Sequence, residues 1–417
     1  MSASSVAKRR FYGRRDADRL GRSCSTRPAE GGGSTKTMER FMRSKLCIIV
    51  PAHWESVMGG SQFQAKVLIE YLLKHYDVDV AYLTTAANPS FVPQGYRIVK
   101  FSDRDGIRSY GTFFDAFRLY AALCREKPDA ILQFVGSAHT GIAALYARLH
   151  GCRMIWRVTD DRSVEPEIAP WWQLHKHIER AFLRFGVNNA ELILAQTRYQ
   201  RDQIARHFCC DHVRVIPSFQ PAVPARSSRP WFEAQVAWIG SIKPGKNPGA
   251  FVRLARRFEG RKDIRFVMVG NQVADDAWTR EQLAAMAATP NIEYLGARSE
   301  EEVNRLLERA DLLVNTSDHE SFSNTFIQAW MRRVPVVSLH VDPDKLLSRR
   351  GLGAVSRTEE QLYRHVTGLL HSYETRAEIG ARARAYVLDH HTERNIEEIA
   401  RLLHVAQPPP LMTPQLV

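Results

Sequence analysis

The segment from Asp311 to Val337 concentrates the residue types best suited to chemistry on a polar ligand. Its opening run, Leu312–Asn315, reads as a strand, and Asp318–Ser323 form a polar loop at the strand's carboxyl end. Ser323 or Asn324 then caps a helix whose apolar face includes Phe326, Ile327, Trp330 and Met331. Ligands of open α/β sheets bind outside the carboxyl ends of the strands. Glu320 therefore falls in a binding loop and Gln328 about one turn inside the helix, so the two can address opposite ends of one elongated ligand. The helix N-terminus between them offers N–H groups for phosphate.

Two glycine turns carry related chemistry. The first strand-to-helix junction contains Gly59-Gly60-Ser61, where glycine lets the backbone turn sharply and approach a ligand. Ser61 with Gln64 forms a capping-box pattern that predicts a helix start near Gln62, its N–H groups facing an anion. A plain strand-to-helix turn accounts for the same residues equally well. Further on, Gly240-Ser241-Ile242-Lys243-Pro244-Gly245-Lys246-Asn247 again follows a strand, now with two lysines that can act as point charges for phosphate. Taken alone, a solvated loop explains it as readily.

The elements that must position these residues alternate short β-branched strands with helix-length segments, the pattern of parallel α/β sheets. Strands are predicted at Leu46–Val50, Val78–Leu83, Ala130–Phe134, Met154–Val158, Leu192–Ala195 and Val213–Ile216, and again at Val236–Ile239, Ile264–Val269, Ile292–Leu295, Leu312–Asn315 and Pro335–Leu339. Pro217, Pro221, Pro224 and Pro230 mark a linker between the two series, since proline donates no ladder hydrogen bond. The expected organisation is a basic extension over 1–44, a first α/β domain over 45–216, a linker over 217–234, a second α/β domain over 235–385, a C-terminal helix over 386–406 and a tail over 407–417. The last helical stretch, Thr375–Val405, is expected to break near His390-His391.

The 417 residues carry a formal net charge of +13. Residues 1–44 hold eleven Lys/Arg against Asp16, Asp18, Glu30 and Glu39; their polar, Gly/Ser-rich composition predicts disorder. A solvated tail is the simpler reading of that segment, an arm for anionic membrane or nucleic acid the more functional one. There is neither an apolar run near the roughly 18 residues of a membrane span nor an N-terminal apolar h-region, so an integral membrane or secreted protein is not expected. None of the six cysteines forms a Cys-x-x-Cys pair, so neither a zinc ribbon nor a disulfide framework is indicated.

Together, the double-glycine turn, the glycine-to-lysine turn of the second domain, Val269-Gly270-Asn271, and Glu320-Ser-Phe-Ser-Asn324 followed by a helix and Val334-Pro-Val-Val337 resemble the retaining glycosyltransferases of family 4. The resemblance covers about residues 45–405. It implies the GT-B fold: two Rossmann-like, doubly wound α/β domains facing a cleft, with a C-terminal helix returning to the first. It also implies a nucleotide-sugar as co-substrate, no separate cofactor and no metal, and a glycan or lipid-linked acceptor, with polysaccharide or lipopolysaccharide assembly as the setting. By position, Glu320 matches the glutamate that holds the donor sugar, Phe322, Ser323, Asn324 and Thr325 the backbone cradling its diphosphate, Lys246 the neutralising lysine, and Gly60 the turn near the reacting centre. Gly270 and Asn271 join this donor set. Three positions depart from the pattern. Gln328 replaces the ribose-binding glutamate. Ser241 replaces an arginine, with Lys243 available to compensate. Asp160 stands where many members carry a histidine near the acceptor; it is a catalytic candidate beside Glu320, and equally readable as structural. The implied location is cytoplasmic, peripheral at the inner face of the cell membrane, with no nucleic-acid partner. The departures leave room for a catalytically impaired protein that only binds sugar nucleotides.

Other residues invite simpler readings. Asp342-Pro-Asp344 and Asp160-Asp161 could suggest a metal, but the former reads as a turn. His175, His177, His390 and His391 lack zinc spacing and read as surface histidines. Trp171 and Trp172 beside Lys176, Arg180 and Arg184 suit core packing under a charged helix face, or an aromatic–basic membrane patch. Tyr110–Tyr120, with Phe113, Phe114 and Phe117, reads as a buried helix.

Overall fold

A computed structural model describes residues 43–102, 112–165, 170, 172–208, 210–224 and 233–405. The expectations for the basic extension before Arg43, for the tail, for Trp171, and for the side chains of Phe113 and Phe114 lie outside the described residues.

The first sheet is wholly parallel and contains β1 (Ser44–Ile49), β2 (Val78–Thr84), β3 (Tyr96–Lys100), β4 (Ala130–Phe134), β5 (Arg153–Arg157), β6 (Leu192–Ala195) and β7 (Val213–Val215), in the order β3-β2-β1-β4-β5-β6-β7. Its helices are α1 (Gly60–His75), α2 (Thr112–Glu126), α3 (Ala138–His150), α4 (Leu174–Asn189) and α5 (Arg198–Phe208). The second parallel sheet contains β8 (Ala234–Ile239), β9 (Ile264–Val269), β10 (Ile292–Tyr294), β11 (Leu312–Asn315), β12 (Val336–Ser338) and β13 (Gly353–Val355), in the order β10-β9-β8-β11-β12-β13. With it go α6 (Pro248–Arg256), α7 (Ala277–Ala287), α8 (Glu300–Arg309), α9 (Asn324–Met331), α10 (Leu346–Arg350), α11 (Glu359–His371) and α12 (Tyr373–His390), while α13 (Arg394–Leu402) follows a break at His391.

Alternation along β1 shows why both faces are covered. Leu46 and Ile48 enter one apolar cluster and Cys47 and Ile49 the other, as the period of two requires. Ile396, Ile399 and Ala400 of α13, with Leu403 just after it, complete the first of these clusters, so the chain returns to the first domain. The returning element begins at Arg394; residues 386–390 still belong to α12, whose Ala383 and Val387 pack in the second domain.

Strand order reverses between β1 and β4 and between β8 and β11. These are the switch points where doubly wound sheets bind ligands. The connections leaving β1, β8 and β11 lead to Gly60 at the start of α1, to Lys246 in a 3₁₀ turn and to Glu320 in a loop, respectively.

Several local expectations are corrected. Helix α1 starts at Gly60 with no side-chain cap, because Gln64 is buried and bonds the backbone of Phe219 instead. His391 is fully buried rather than at the surface. Trp172 is 67% exposed, not a core residue, and Phe117 of α2 is 66% exposed. Strands β3 and β13 were not expected: β3 is a half-exposed edge strand ending in lysine, and β13 has only three residues.

Candidate active site

The second-domain wall is built by stitching two loops together. β8 and β11 are neighbours, with Leu312 opposite Val236. Beyond their ends, the Thr316 hydroxyl accepts from Trp238 Nε1 at 2.9 Å and donates to the Lys246 carbonyl at 2.8 Å. The Asp318 N–H donates to the Gly245 carbonyl at 3.1 Å. These bonds set Lys246, the last residue of a short 3₁₀ turn, over the Glu320 loop. Lys246 Nζ lies 2.7 Å from Glu320 Oε1. That same oxygen accepts from Asn315 Nδ2 at 3.0 Å and from the Ser317 hydroxyl at 2.5 Å. Oε2 has no partner among the described residues. Burial alone would raise the Glu320 pKa, but Lys246, Ser317 and Asn315 together hold it below the ordinary carboxylate value. The side chain is thus a fixed, ionised acceptor with one oxygen open to a ligand hydroxyl.

The first-domain wall approaches through α1 and the loops after β4 and β5. Asn324, the first residue of α9, donates to the Gly60 carbonyl at 3.1 Å and accepts from Gln64 Nε2 at 3.1 Å. Neither α1 nor α9 has a side-chain hydrogen bond at its N-cap, so two helix N-termini meet here with backbone N–H groups available. Gln220 Nε2 donates to the Asn324 carbonyl at 3.1 Å, which ties the linker to the same point. His391 Nδ1 lies 2.6 Å from the Ser218 carbonyl and must carry its proton there, since a carbonyl only accepts. The His391 ring packs 4.7 Å from that of Phe322. Linker, C-terminal crossing and Glu320 loop therefore support one another.

A cleft cavity of about 1380 Å³ lies between the walls. Of the residues expected at the site, Gly60, Asp160, Lys243, Lys246, Glu320 and Phe322 line it. Ser241, Gly270, Asn271, Ser323, Asn324, Thr325 and Gln328 do not. Ser241 spends its hydroxyl on Asn271 Oδ1 at 2.8 Å. Gly270 is needed for close approach: a Cβ there would fall 1.7 Å from the Gly240 carbonyl oxygen. The Ser323 and Thr325 hydroxyls bond each other at 2.8 Å. Gln328 is buried inside α9.

Asp160 lines the cleft and is engaged in its own turn. Its carboxylate accepts from Ser163 N–H at 2.9 Å and from the Ser163 hydroxyl at 2.8 Å, the bonding of a structural turn. Asp161, unremarked as a site residue, lines the same cleft. It accepts from Gln200 Nε2 at 3.0 Å; burial raises its pKa, and Ser321 of the opposite wall is close enough to oppose that shift. The metal reading of Asp342-Pro-Asp344 also gives way to capping. Asp342 accepts from Leu347 N–H and the Ser348 hydroxyl. Asp344 reaches the other domain and accepts the N–H groups of Arg198 and Tyr199 at 2.9 and 3.1 Å, at the start of α5. Among the described residues, no group of three His, Cys, Asp or Glu could hold a metal ion.

Two doubly wound parallel sheets, facing each other across a cleft with a returning C-terminal helix, define the GT-B architecture. The model of "Glycosyltransferase Family 4" matches residues 58–219, and that of "Glycosyl transferases group 1" matches residues 233–372. The chain belongs to the family 4, group 1 glycosyltransferases. Among curated relatives, a D-inositol 3-phosphate glycosyltransferase of Mycobacterium sp. (strain JLS) is 25% identical over 171 residues, 37% of this chain and 38% of that relative's length. Sucrose-phosphate synthase from Thermosynechococcus elongatus has a similar structure, with TM-score 0.70 and 12% identity over 87% of this chain and 98% of that one. HepE from Anabaena, in complex with UDP-glucose, gives 0.69 and 14% over 86% and 99%. WaaG, a glycosyltransferase involved in lipopolysaccharide biosynthesis, gives 0.68 and 14% over 86% and 99%.

Proposed function

We propose that the protein transfers a sugar, with retention, from a nucleoside diphosphate sugar to a hydroxyl of a glycan or lipid-linked acceptor in polysaccharide or lipopolysaccharide assembly. The observation that carries this reading is Glu320: its Oε1 is saturated by Lys246, Asn315 and Ser317, and its Oε2 is left open in the cleft. In the proposed reaction Oε2 accepts from the donor sugar's hydroxyls. Lys246 and the N-terminus of α9 stabilise the charge that develops on the departing diphosphate. Domain closure keeps water out. The nucleotide-sugar is a co-substrate, and no separate cofactor or metal enters the scheme.

The acceptor is placed on the first domain. Leu174, Ile178 and Phe185 form an exposed apolar line along α4, with exposed Trp172 just before it and Lys176, Arg180 and Arg184 on another side of the helix. That arrangement suits peripheral attachment to the anionic inner face of a membrane. Among the described residues no helix is long and apolar enough to cross one. Co-sedimentation with phosphatidylglycerol vesicles, absent with neutral ones, tests this part.

The transfer reaction is tested with purified protein and a panel of UDP-, GDP- and ADP-sugars, UDP-glucose first because HepE was solved with it. Donor turnover that survives EDTA supports the reading. Binding of a nucleotide without any turnover would instead indicate a sugar-nucleotide-binding protein.

A further inference from the structure

Arg162 sits at the tip of the turn that follows β5, and both of its neighbours towards the strand are tied down. Both Asp160 oxygens are taken by Ser163. Asp161 is held by Gln200, with Ser321 of the opposite wall close by. Ser321 follows Glu320 directly, so the Arg162 turn lies beside the Glu320 loop across the cleft. Arg162 is exposed, lines the same cavity as Lys243 and Lys246, and has no carboxylate partner among the described residues.

The charge on the facing wall is arranged to match. Lys246 is paired with Glu320, so that pair brings little net charge. Lys243 has no ion pair among the described residues. Burial, then Lys246, then Arg162 push its ammonium below the ordinary lysine range, against the pull of Glu320. Arg162 and Lys243 therefore repel each other from opposite domains. Position 241, where the family resemblance leads one to expect an arginine, holds a serine whose hydroxyl is already engaged by Asn271. Two cations without an ion pair among the described residues thus line one cavity beside the Glu320 loop.

We propose that Arg162 supplies from the first domain the guanidinium that position 241 lacks, gripping the donor's diphosphate across the cleft while Lys243 and Lys246 hold it from the second domain. A guanidinium presents a planar fork that matches phosphate oxygens, which a lysine cannot reproduce. The diphosphate then becomes the bridge between the two walls. This inference rests on the donor-site reading above.

The test is titration calorimetry of UDP, GDP and ADP, and of the matching nucleosides, into wild type, Arg162→Ala, Arg162→Lys and Lys243→Ala. For the diphosphate that binds wild type, Arg162→Ala weakens affinity about 10- to 100-fold, the range for a lost charge-assisted hydrogen bond. The nucleoside is unaffected, and Arg162→Lys recovers only part of the loss. The melting temperature of unliganded Arg162→Ala stays at the wild-type value, because the side chain is exposed and unpaired. Unchanged diphosphate affinity overturns the proposal, as does an equal loss for nucleoside. A variant that binds diphosphate normally but shows a raised KM for a phosphorylated acceptor would assign the guanidinium to the acceptor and also overturn it. If wild type binds none of the three diphosphates, the donor-site reading fails as a whole, a result distinct from failure of Arg162 alone.

Discussion

The two walls of the cleft are built on opposite plans. On the second domain, Thr316 locks two loops together, and Lys246, Asn315 and Ser317 converge on one oxygen of Glu320. On the first, Asp160 and Asp161 are engaged in holding a turn, and Arg162 at its tip has no carboxylate partner among the described residues. The contrast assigns the walls different work. A network that already satisfies a buried carboxylate is preorganised, so it needs little rearrangement when charge develops. A turn that carries a free cation is completed only by what it binds.

The largest effect is expected where the finished wall is broken. Glu320→Gln keeps the shape and one carbonyl oxygen but removes the charge that faces Lys246. Transfer should fall by about 100-fold or more, as for loss of one preorganised electrostatic contact. Glu320→Ala is the poorer test, because it leaves Lys246, Asn315 and Ser317 without their shared acceptor and so destabilises the fold too. Full turnover by Glu320→Gln at saturating donor would remove Glu320 from the mechanism.

A middling effect concerns the joint between the walls. His391 is buried with Nδ1 on Ser218 and Nε2 without a partner, and burial pushes its pKa down from 6.5 to about 4. The unfolded chain therefore takes up this proton first. The stability it contributes is fully present above about pH 6.5 and is lost as pH falls towards 4. His139, also buried with an unpartnered Nε2 and a pKa lowered to about 4, acts in the same direction. Melting temperature should drop between pH 7 and pH 4.5, and His391→Gln should flatten part of that slope. An identical slope in the variant would mean that other groups set it.

The smallest effect is expected at Asp344, which caps α5 from the other domain. Its φ of 47° is in the left-handed region, so glycine keeps the backbone and removes only the carboxylate. Asp344→Gly should cost about 1 kcal/mol, a typical capping loss, read by chemical denaturation. No change would mean that water replaces the contact.

How much of this was legible in the sequence follows the range of the interactions. The β11 loop and the order of Glu320, Asn324 and Gln328 could be read, because strand, loop and helix are local patterns. So could the glycine turns after β1 and β8. The capping box at Ser61 failed because Gln64 is claimed by Phe219, 155 positions away. His391 looked like a surface residue because the linker and Phe322 that bury it are also remote in the chain. Asp344 looked like a turn or a metal ligand because its partners belong to α5. Arg162 carried no signal at all until Ser321 placed its turn beside the donor loop.

The central claim, a preformed diphosphate site on the second domain, rests most directly on Lys246. Titration of the nucleoside diphosphate that binds wild type, and of its uncharged nucleoside, into Lys246→Ala decides it. The account predicts about a tenfold or greater loss for the diphosphate, where a charge-assisted contact to phosphate disappears, and little change for the nucleoside. Equal losses for both ligands would contradict it and make Lys246 a structural partner of Glu320 alone.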